Sequence, residues 1–198
     1  MTDGDRPRLA SLRGEPDVYR AAEDSHLLAK TAVARIESDD LVLDLGTGSG
    51  YVGRTVAEAC SARVVASDLN PHACQQAGDA GLAVVRTDMV SAFRDDTFDW
   101  VLFNPPYLPT PEDREWGDWM EQALSGGEDG RAVVNPFLAS VRRVLAPGGR
   151  ALLLVSSLTG LDAVRNTARN EGLMTDEAAE EQFPSERLVV LELTPTGT

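Results

Sequence analysis

The apolar run Leu41–Leu45 ends in Gly46-Thr47-Gly48-Ser49-Gly50 and passes at once into a segment with helical patterning, Tyr51–Ala59. A short strand that turns through glycines into a helix is half of a strand–helix–strand unit, so a parallel partner strand is required. The chain repeats the alternation. Arg63–Leu69 reads as the second strand, Pro71–Ala80 as a helix with Asn70 as cap and Pro71 at its first position, Leu82–Arg86 as the third strand and Phe98–Phe103 as the fourth. Asn135 caps and Pro136 starts a further helix, whose Phe137, Val141, Val144 and Leu145 form one apolar stripe before Pro147, Gly148 and Gly149 stop it. Arg150–Ser156 is the fifth strand, Leu161–Asn170 a helix ended by Gly172, and Met174–Phe183 with Arg187–Thr194 a closing strand pair. Upstream of the glycines, Leu28, Ala32 and Ile36 recur at helical spacing behind the capping candidates Asp24 and Ser25.

This order predicts an α/β fold, a mostly parallel seven-stranded sheet covered on both faces. The last two strands have no helix between them and are expected to pair antiparallel at one edge. A length of 198 residues suits one domain, expected over 18–198 behind a flexible arm, 1–17, in which Gly4, Pro7, Gly14 and Pro16 sit among charges. The long connection Pro105–Asn135 exceeds ordinary loop lengths, which marks it as functional. Ala151–Val155 and Phe98–Phe103 are far too short to span a bilayer and the first residues lack a signal peptide's apolar core, so a cytoplasmic protein with no membrane partner is expected. Cys60 and Cys74 both fall in helical segments, which leaves a disulfide framework or a Cys-rich metal site without support.

Acidic residues outnumber basic ones 32 to 18, for a net charge of −14, and Lys30 is the only lysine. A field of that sign repels phosphate backbones and anionic lipid, so direct nucleic-acid binding is disfavoured. A solvated acidic surface of the kind found in proteins adapted to high salt explains the total. The excess is uneven, however: Pro105–Arg131 holds seven acids against two arginines, and Glu171–Glu192 seven against one. The first cluster, with Trp116 and Trp119 among its acids, follows the candidate substrate motif described below. It suits either a basic protein substrate or an apolar lid with a solvated face.

The glycine turn stands where open parallel sheets bind ligands. Gly48, Gly50 and Gly53 satisfy the G-x-G-x-x-G spacing, and Asp68 lies 20 residues past Gly48, so a dinucleotide is one candidate. Asp44 favours another. A carboxylate just before the turn suits the ammonium of an amino acid better than a pyrophosphate, which points to S-adenosylmethionine. Asp68 closes the second strand, where two oxygens can accept both ribose hydroxyls. Asp88, after Thr87, is expected to end the third strand, in reach of an adenine amine if the sheet is ordered as expected.

Phe98–Phe103 runs straight into Asn104-Pro105-Pro106-Tyr107. Two prolines lack N–H groups and stiffen the backbone. The Asn104 side chain and the Pro105 carbonyl can together accept both hydrogens of a planar NH₂ group, while Tyr107 offers a ring against which an amide or base can lie. A proline-terminated strand with an ordinary turn is the plainer reading of the tetrapeptide taken alone.

The glycine turn, the strand-end acids and Asn104–Tyr107 together resemble a class I S-adenosylmethionine-dependent methyltransferase, with a Rossmann-like fold, of the branch that methylates exocyclic amino or amide nitrogens. Val18-Tyr19-Arg20-Ala21-Ala22-Glu23-Asp24-Ser25 is similar to the opening motif of HemK-like protein-glutamine methyltransferases, in the short archaeal and eukaryotic kind that acts on class I release factors. Gly126-Gly127-Glu128-Asp129-Gly130-Arg131 resembles that group's GG-x-x-G-R segment. Ala22 departs from it, since the group usually has Pro there. The resemblance implies S-adenosylmethionine bound by Ser25, Asp44, Gly46, Gly48, Gly50, Asp68, Leu69, Asp88, Met89 and Asn104. It further implies that Asn104, Pro105, Pro106 and Tyr107 hold the glutamine of a release factor's Gly-Gly-Gln loop. It also implies a small zinc-binding activator subunit on the third-strand edge, near Val84 and Val85.

The expected chemistry is methyl transfer to the amide nitrogen by positioning, without a dedicated base. His26 and His72 read as structural. Adenine amines in DNA or RNA, and protein lysine, stand as alternative acceptors, with a nicotinamide oxidoreductase as the alternative class.

Overall fold

The computed structural model describes residues 23–107, 109, 125–184 and 186–197. The expected arm 1–17, most of the Val18–Ser25 motif, and Trp116 and Trp119 with their acids lie outside these residues. The elements are α1 (Glu23–Val33), β1 (Leu41–Leu45), α2 (Tyr51–Cys60), β2 (Arg63–Asp68), α3 (Pro71–Asp79), β3 (Ala83–Arg86), β4 (Phe98–Phe103), α4 (Val134–Val144), β5 (Leu145–Ser156), α5 (Leu161–Asn170), β6 (Leu173–Gln182) and β7 (Arg187–Pro195). Seven strands form one sheet in the order β3-β2-β1-β4-β5-β7-β6. The first five are parallel, and β7 runs antiparallel to both β5 and β6. The closing pair is therefore antiparallel at one edge, as the missing helix requires, with the last strand inserted inside the one before it.

Strand periodicity divides the core. Leu43, Leu45, Val101, Phe103, Leu153 and Leu191 face a layer that includes Phe137, Val141 and Val144 of α4 and Val164 and Ala168 of α5. Their neighbours in sequence, Val42, Trp100, Leu102, Leu152, Leu154 and Val190, face Leu28 and Ala32 of α1 and Val52 and Val56 of α2. A strand buried on both sides reads as a continuous apolar run, which is why Leu41–Leu45 and Phe98–Phe103 are legible to the residue.

Three boundaries differ from expectation. Asp24 and Ser25 do not cap α1 from outside; they lie within it, and Asp24 Oδ1 accepts from the Ser25 amide at 2.6 Å. Asn135 is not the cap of α4, which starts at Val134 with Val133 in the cap position. Burial decides this: Val134 is fully buried and draws the first turn inward, and the Asn135 amide already bonds the Arg131 carbonyl at 3.0 Å. The Pro147-Gly148-Gly149 run does not end the helix either. α4 stops at Val144, and β5 begins at Leu145, which pairs with Phe98 before the register shifts between Phe98 and Trp100. Asn70 does cap α3, accepting from the His72 amide at 2.9 Å.

Three of the seven carboxyl-terminal acids are in ion pairs among the described residues. Glu192 bridges Arg35 and Arg150, while Glu177 and Glu180 engage Arg165 and Arg187 on the β6–β7 pair. Partly exposed pairs of this kind add little stability each, but they offset part of the charge of a strongly acidic strand surface.

Candidate active site

The chain reverses direction across the sheet between β1 and β4, and the loops leaving the carboxyl ends of those two strands are the glycine turn and Asn104–Tyr107. Leu45 pairs with both Ser67 and Phe103, so the ends of β2, β1 and β4 stand abreast. That is the switch point at which open α/β sheets bind ligands. Gly46, Gly48 and Gly50 all have positive φ, at 62°, 53° and 79°. A side chain on Gly46 would start 3.1 Å from the Phe103 ring, which keeps the two loops in contact only while residue 46 is glycine.

Asp44 is buried inside β1. Its Oδ2 accepts from Thr47 Oγ1 at 2.5 Å and from the Gly53 amide at 2.9 Å, which braces the glycine turn against α2. Desolvation raises its pKa to about 6, the two hydrogen bonds oppose the rise, and the charge on Asp68 adds to it. The third glycine of the dinucleotide-like spacing serves this carboxylate: a Cβ at Gly53 would lie 2.8 Å from Asp44 Oδ2. Thr47 and Gly53 are thus site residues that sequence spacing assigned to a phosphate or left unassigned.

Asp68 ends β2 with Oδ2 on the Gly48 amide at 2.9 Å and Oδ1 on the Asn70 amide at 2.8 Å. Burial pushes its pKa up, against those amides. Each oxygen retains capacity for a further donor. Leu69 follows it with its side chain half exposed, and Met89, at positive φ, packs partly buried beyond β3. Asp88 is exposed just past the third strand, which ends at Arg86, two residues earlier than an acid-terminated strand would require.

Asn104 follows β4. Its Nδ2 donates to Ser25 Oγ at 3.3 Å, while its Oδ1 is buried and accepts nothing. A buried acceptor without a donor costs free energy and is rare enough to mark a site. Tyr107 donates to Asp24 Oδ2 at 3.4 Å, and the edge of one ring in the His26–Tyr51 pair meets the other at a centroid distance of 4.9 Å. Residue spacing offered no means of seeing that Asp24 and Ser25 of α1 meet the Asn104–Tyr107 loop while His26 meets Tyr51, the first residue of α2. His26 and His72 are exposed.

The Gly126–Arg131 segment lies under the same loop. A Cβ on Gly130, which has φ of 72°, would stand 2.6 Å from the Tyr107 carbonyl, and Arg131 fixes the segment by donating to the Thr159 carbonyl at 2.6 Å. Gly130→Ala is expected to displace Tyr107 as well as strain its own backbone. The expected result is a melting temperature lower by roughly 3 to 8 °C together with reduced turnover. A thermal scan showing an unchanged midpoint would remove the buttress role.

The site fits S-adenosylmethionine. A carboxylate made costly by burial gains from a cationic amino acid, a second carboxylate has capacity for ribose hydroxyls, and an orphaned acceptor awaits a donor beside them. Fold and site together define a Rossmann-like S-adenosylmethionine-dependent methyltransferase. Residues 15–116 match the methyltransferase small domain family. A protein of Methanocaldococcus jannaschii named for protein N5-glutamine methyltransferase activity is 35% identical over 187 residues, covering 91% of this chain and 93% of that one. Methyltransferase HEMK2 of Homo sapiens is 29% identical over 192 residues, with 90% of each chain covered. Among solved structures, the methyltransferase Mtq2 of the E. cuniculi Mtq2–Trm112 complex superposes with a TM-score of 0.75 at 24% identity, over 92% of this chain and 100% of that one. The chain belongs to the methyltransferase small domain family, among the HemK-like protein-glutamine methyltransferases.

Proposed function

We propose that this chain methylates the side-chain amide nitrogen of the glutamine in the Gly-Gly-Gln loop of a class I translation release factor. The observation that carries the reading is the buried Asn104 Oδ1 with no donor, held at the mouth of β4 by Ser25 and followed by two prolines. A primary amide supplies the missing N–H. Asn104 and the Pro105 carbonyl accept its two hydrogens, Pro106 stiffens the turn, and the Tyr107 ring lies against the amide plane. An amide nitrogen is a poor nucleophile, so its lone pair must be aimed, and two fixed acceptors do this while stabilising the positive charge that develops on N–H; as the methyl leaves the sulfonium, which becomes a neutral thioether, one N–H proton departs to water.

Bound S-adenosylmethionine supplies the electrophilic methyl group. Asp44 holds the ammonium, with Ser25, Gly46, Gly48 and Gly50 lining the amino-acid end. Asp68 takes the ribose hydroxyls, Leu69 and Met89 flank the adenine, Asp88 takes its amine, and Asn104 borders the transfer point. Residues 18–198 act as one catalytic domain in the cytoplasm; among the described residues no helix is long and apolar enough to cross a membrane.

The substrate assignment is supported by the solved Mtq2–Trm112 complex, which is described as responsible for the methylation of the eRF1 termination factor. The same complex supports a small activator partner for this chain, which we place, as a zinc-binding subunit, on β3. That strand ends the sheet, and its Val84 and Val85 are half buried. A strand added there would satisfy an open edge. Mass spectrometry of a cognate release factor, incubated with labelled cofactor with and without the activator, is expected to show one methyl on the Gly-Gly-Gln glutamine. An unlabelled peptide in both samples would overturn the substrate.

A further inference from the structure

We infer that Asp24 is a positioning residue for the acceptor substrate, acting through Tyr107; the assignment rests on the reading of Tyr107 as a substrate-holding ring. Asp24 lies in the first described turn of α1, is 4% exposed, and reaches across 83 residues of sequence to the Tyr107 hydroxyl. The adjacent Ser25 reaches across 79 residues to the Asn104 amide, and His26 packs against Tyr51 at the start of α2. One helical turn therefore touches the first and last residues of the acceptor motif and the helix that follows the glycine turn.

The orientation of each contact matters. Asn104 donates to Ser25 through Nδ2, which leaves the buried Oδ1 as its atom with unused acceptor capacity. Tyr107, partly buried against the core that holds α1, donates to Asp24, which fixes the hydroxyl end of the ring proposed to meet a planar amide. The contacts, at 3.3 and 3.4 Å, are long for hydrogen bonds. Contacts of this kind in a ligand-free site tighten when substrate closes it. Asp24 is carried on a helix packed into the core through Leu27, Leu28 and Ala32, so the tether is anchored to a rigid element while Tyr107 itself sits on a loop. Tyr107 is held from below by its close backbone approach to Gly130 and from its hydroxyl end by Asp24. The ring also packs, partly buried, against the same core as α1, so loss of the Asp24 contact loosens its hydroxyl end without touching the cofactor's acids, Asp44 and Asp68.

The test has two arms. In steady-state kinetics with the release factor and activator, Asp24→Ala and Tyr107→Phe are each expected to raise KM for the protein substrate by roughly tenfold or more, while calorimetry shows the cofactor Kd within about twofold. Asp24→Asn keeps an acceptor oxygen and is expected to restore most of the loss. The double variant Asp24→Ala with Tyr107→Phe is expected to be no worse than the poorer single one. Multiplying effects, or an Asp24→Ala protein that loses cofactor and substrate affinity equally, would overturn the assignment. The second arm needs no substrate: the chain has three tyrosines, and ring-carbon NMR of tyrosine-labelled protein identifies Tyr107 by its absence in Tyr107→Phe. Its signal is expected to move in Asp24→Ala and less in Asp24→Asn. A fixed Tyr107 signal sinks the tether whatever the substrate; a moving signal with no release-factor turnover in the wild type sinks the substrate reading and leaves the tether standing.

Discussion

Asn104→Ala abolishes methyl transfer while the protein stays folded and still binds S-adenosylmethionine: that is the expected result of removing a buried carbonyl acceptor at the site which, like the Ser67 hydroxyl at the end of β2, has no partner among the described residues. Loss of a preorganised hydrogen-bonding group at the reacting centre costs on the order of 10²–10³ in rate, and loss of the substrate-aligning acceptor adds to it. Stability is expected to move the other way from a normal core substitution. An unsatisfied buried acceptor costs roughly 1–3 kcal/mol, so its deletion offsets the lost contact between Nδ2 and Ser25. Turnover by radiolabel transfer, cofactor Kd by calorimetry and a thermal scan together check the claim. Unchanged turnover would falsify the catalytic assignment, and a collapsed melting transition would reassign Asn104 to the scaffold.

The second large effect is a pH dependence that belongs to Asp44. Its pKa is raised from 3.8 to about 6 by burial, so the folded chain holds a proton that the unfolded chain has released. Between those two values the folded state binds more protons than the unfolded, and stability therefore falls as pH rises through the window. Above about pH 6 the full cost, about 3 kcal/mol, is present. A cation seated against Asp44 reverses the preference. Cofactor binding is then expected to release a proton below about pH 6 and to weaken by up to tenfold per pH unit there. Calorimetry in buffers of different ionisation enthalpy, from about pH 5 to 8, reads the proton directly. Asp44→Asn is expected to abolish the proton release, flatten the profile and cost at least tenfold in affinity at neutral pH. A wild-type profile with no proton release would remove Asp44 from the ammonium site.

What could be read from the chain divides by the range of the interaction. β1 and β4 are legible because burial on both faces writes itself into consecutive residues. The cap at Asn70 is legible because the amide it accepts is two residues away. The start of α4 is not, because Val134 outweighs Asn135 through packing that no local pattern encodes. Asp24 and Ser25 are the most instructive case. Their residue types are those of helix caps, which is how a local reading takes them, and their side chains instead serve partners 83 and 79 residues away. Gly53 shows the reverse error. It satisfies a phosphate-binding spacing, yet the space it leaves is occupied by a carboxylate.

The two ends of the sheet differ in a way that governs how the free protein behaves in solution. β6 carries Asp176 and Glu181 beside the ion-paired Glu177 and Glu180, and the excess negative charge on two such strands repels before backbones can pair. β3 is only Ala83-Val84-Val85-Arg86 and carries no acid. Growth of the sheet by a further strand is therefore blocked at one end and open at the other. A strand that covers β3 also removes the sheet's one acid-free edge from solvent, so the cover protects the free backbone of β3 as well as completing the sheet.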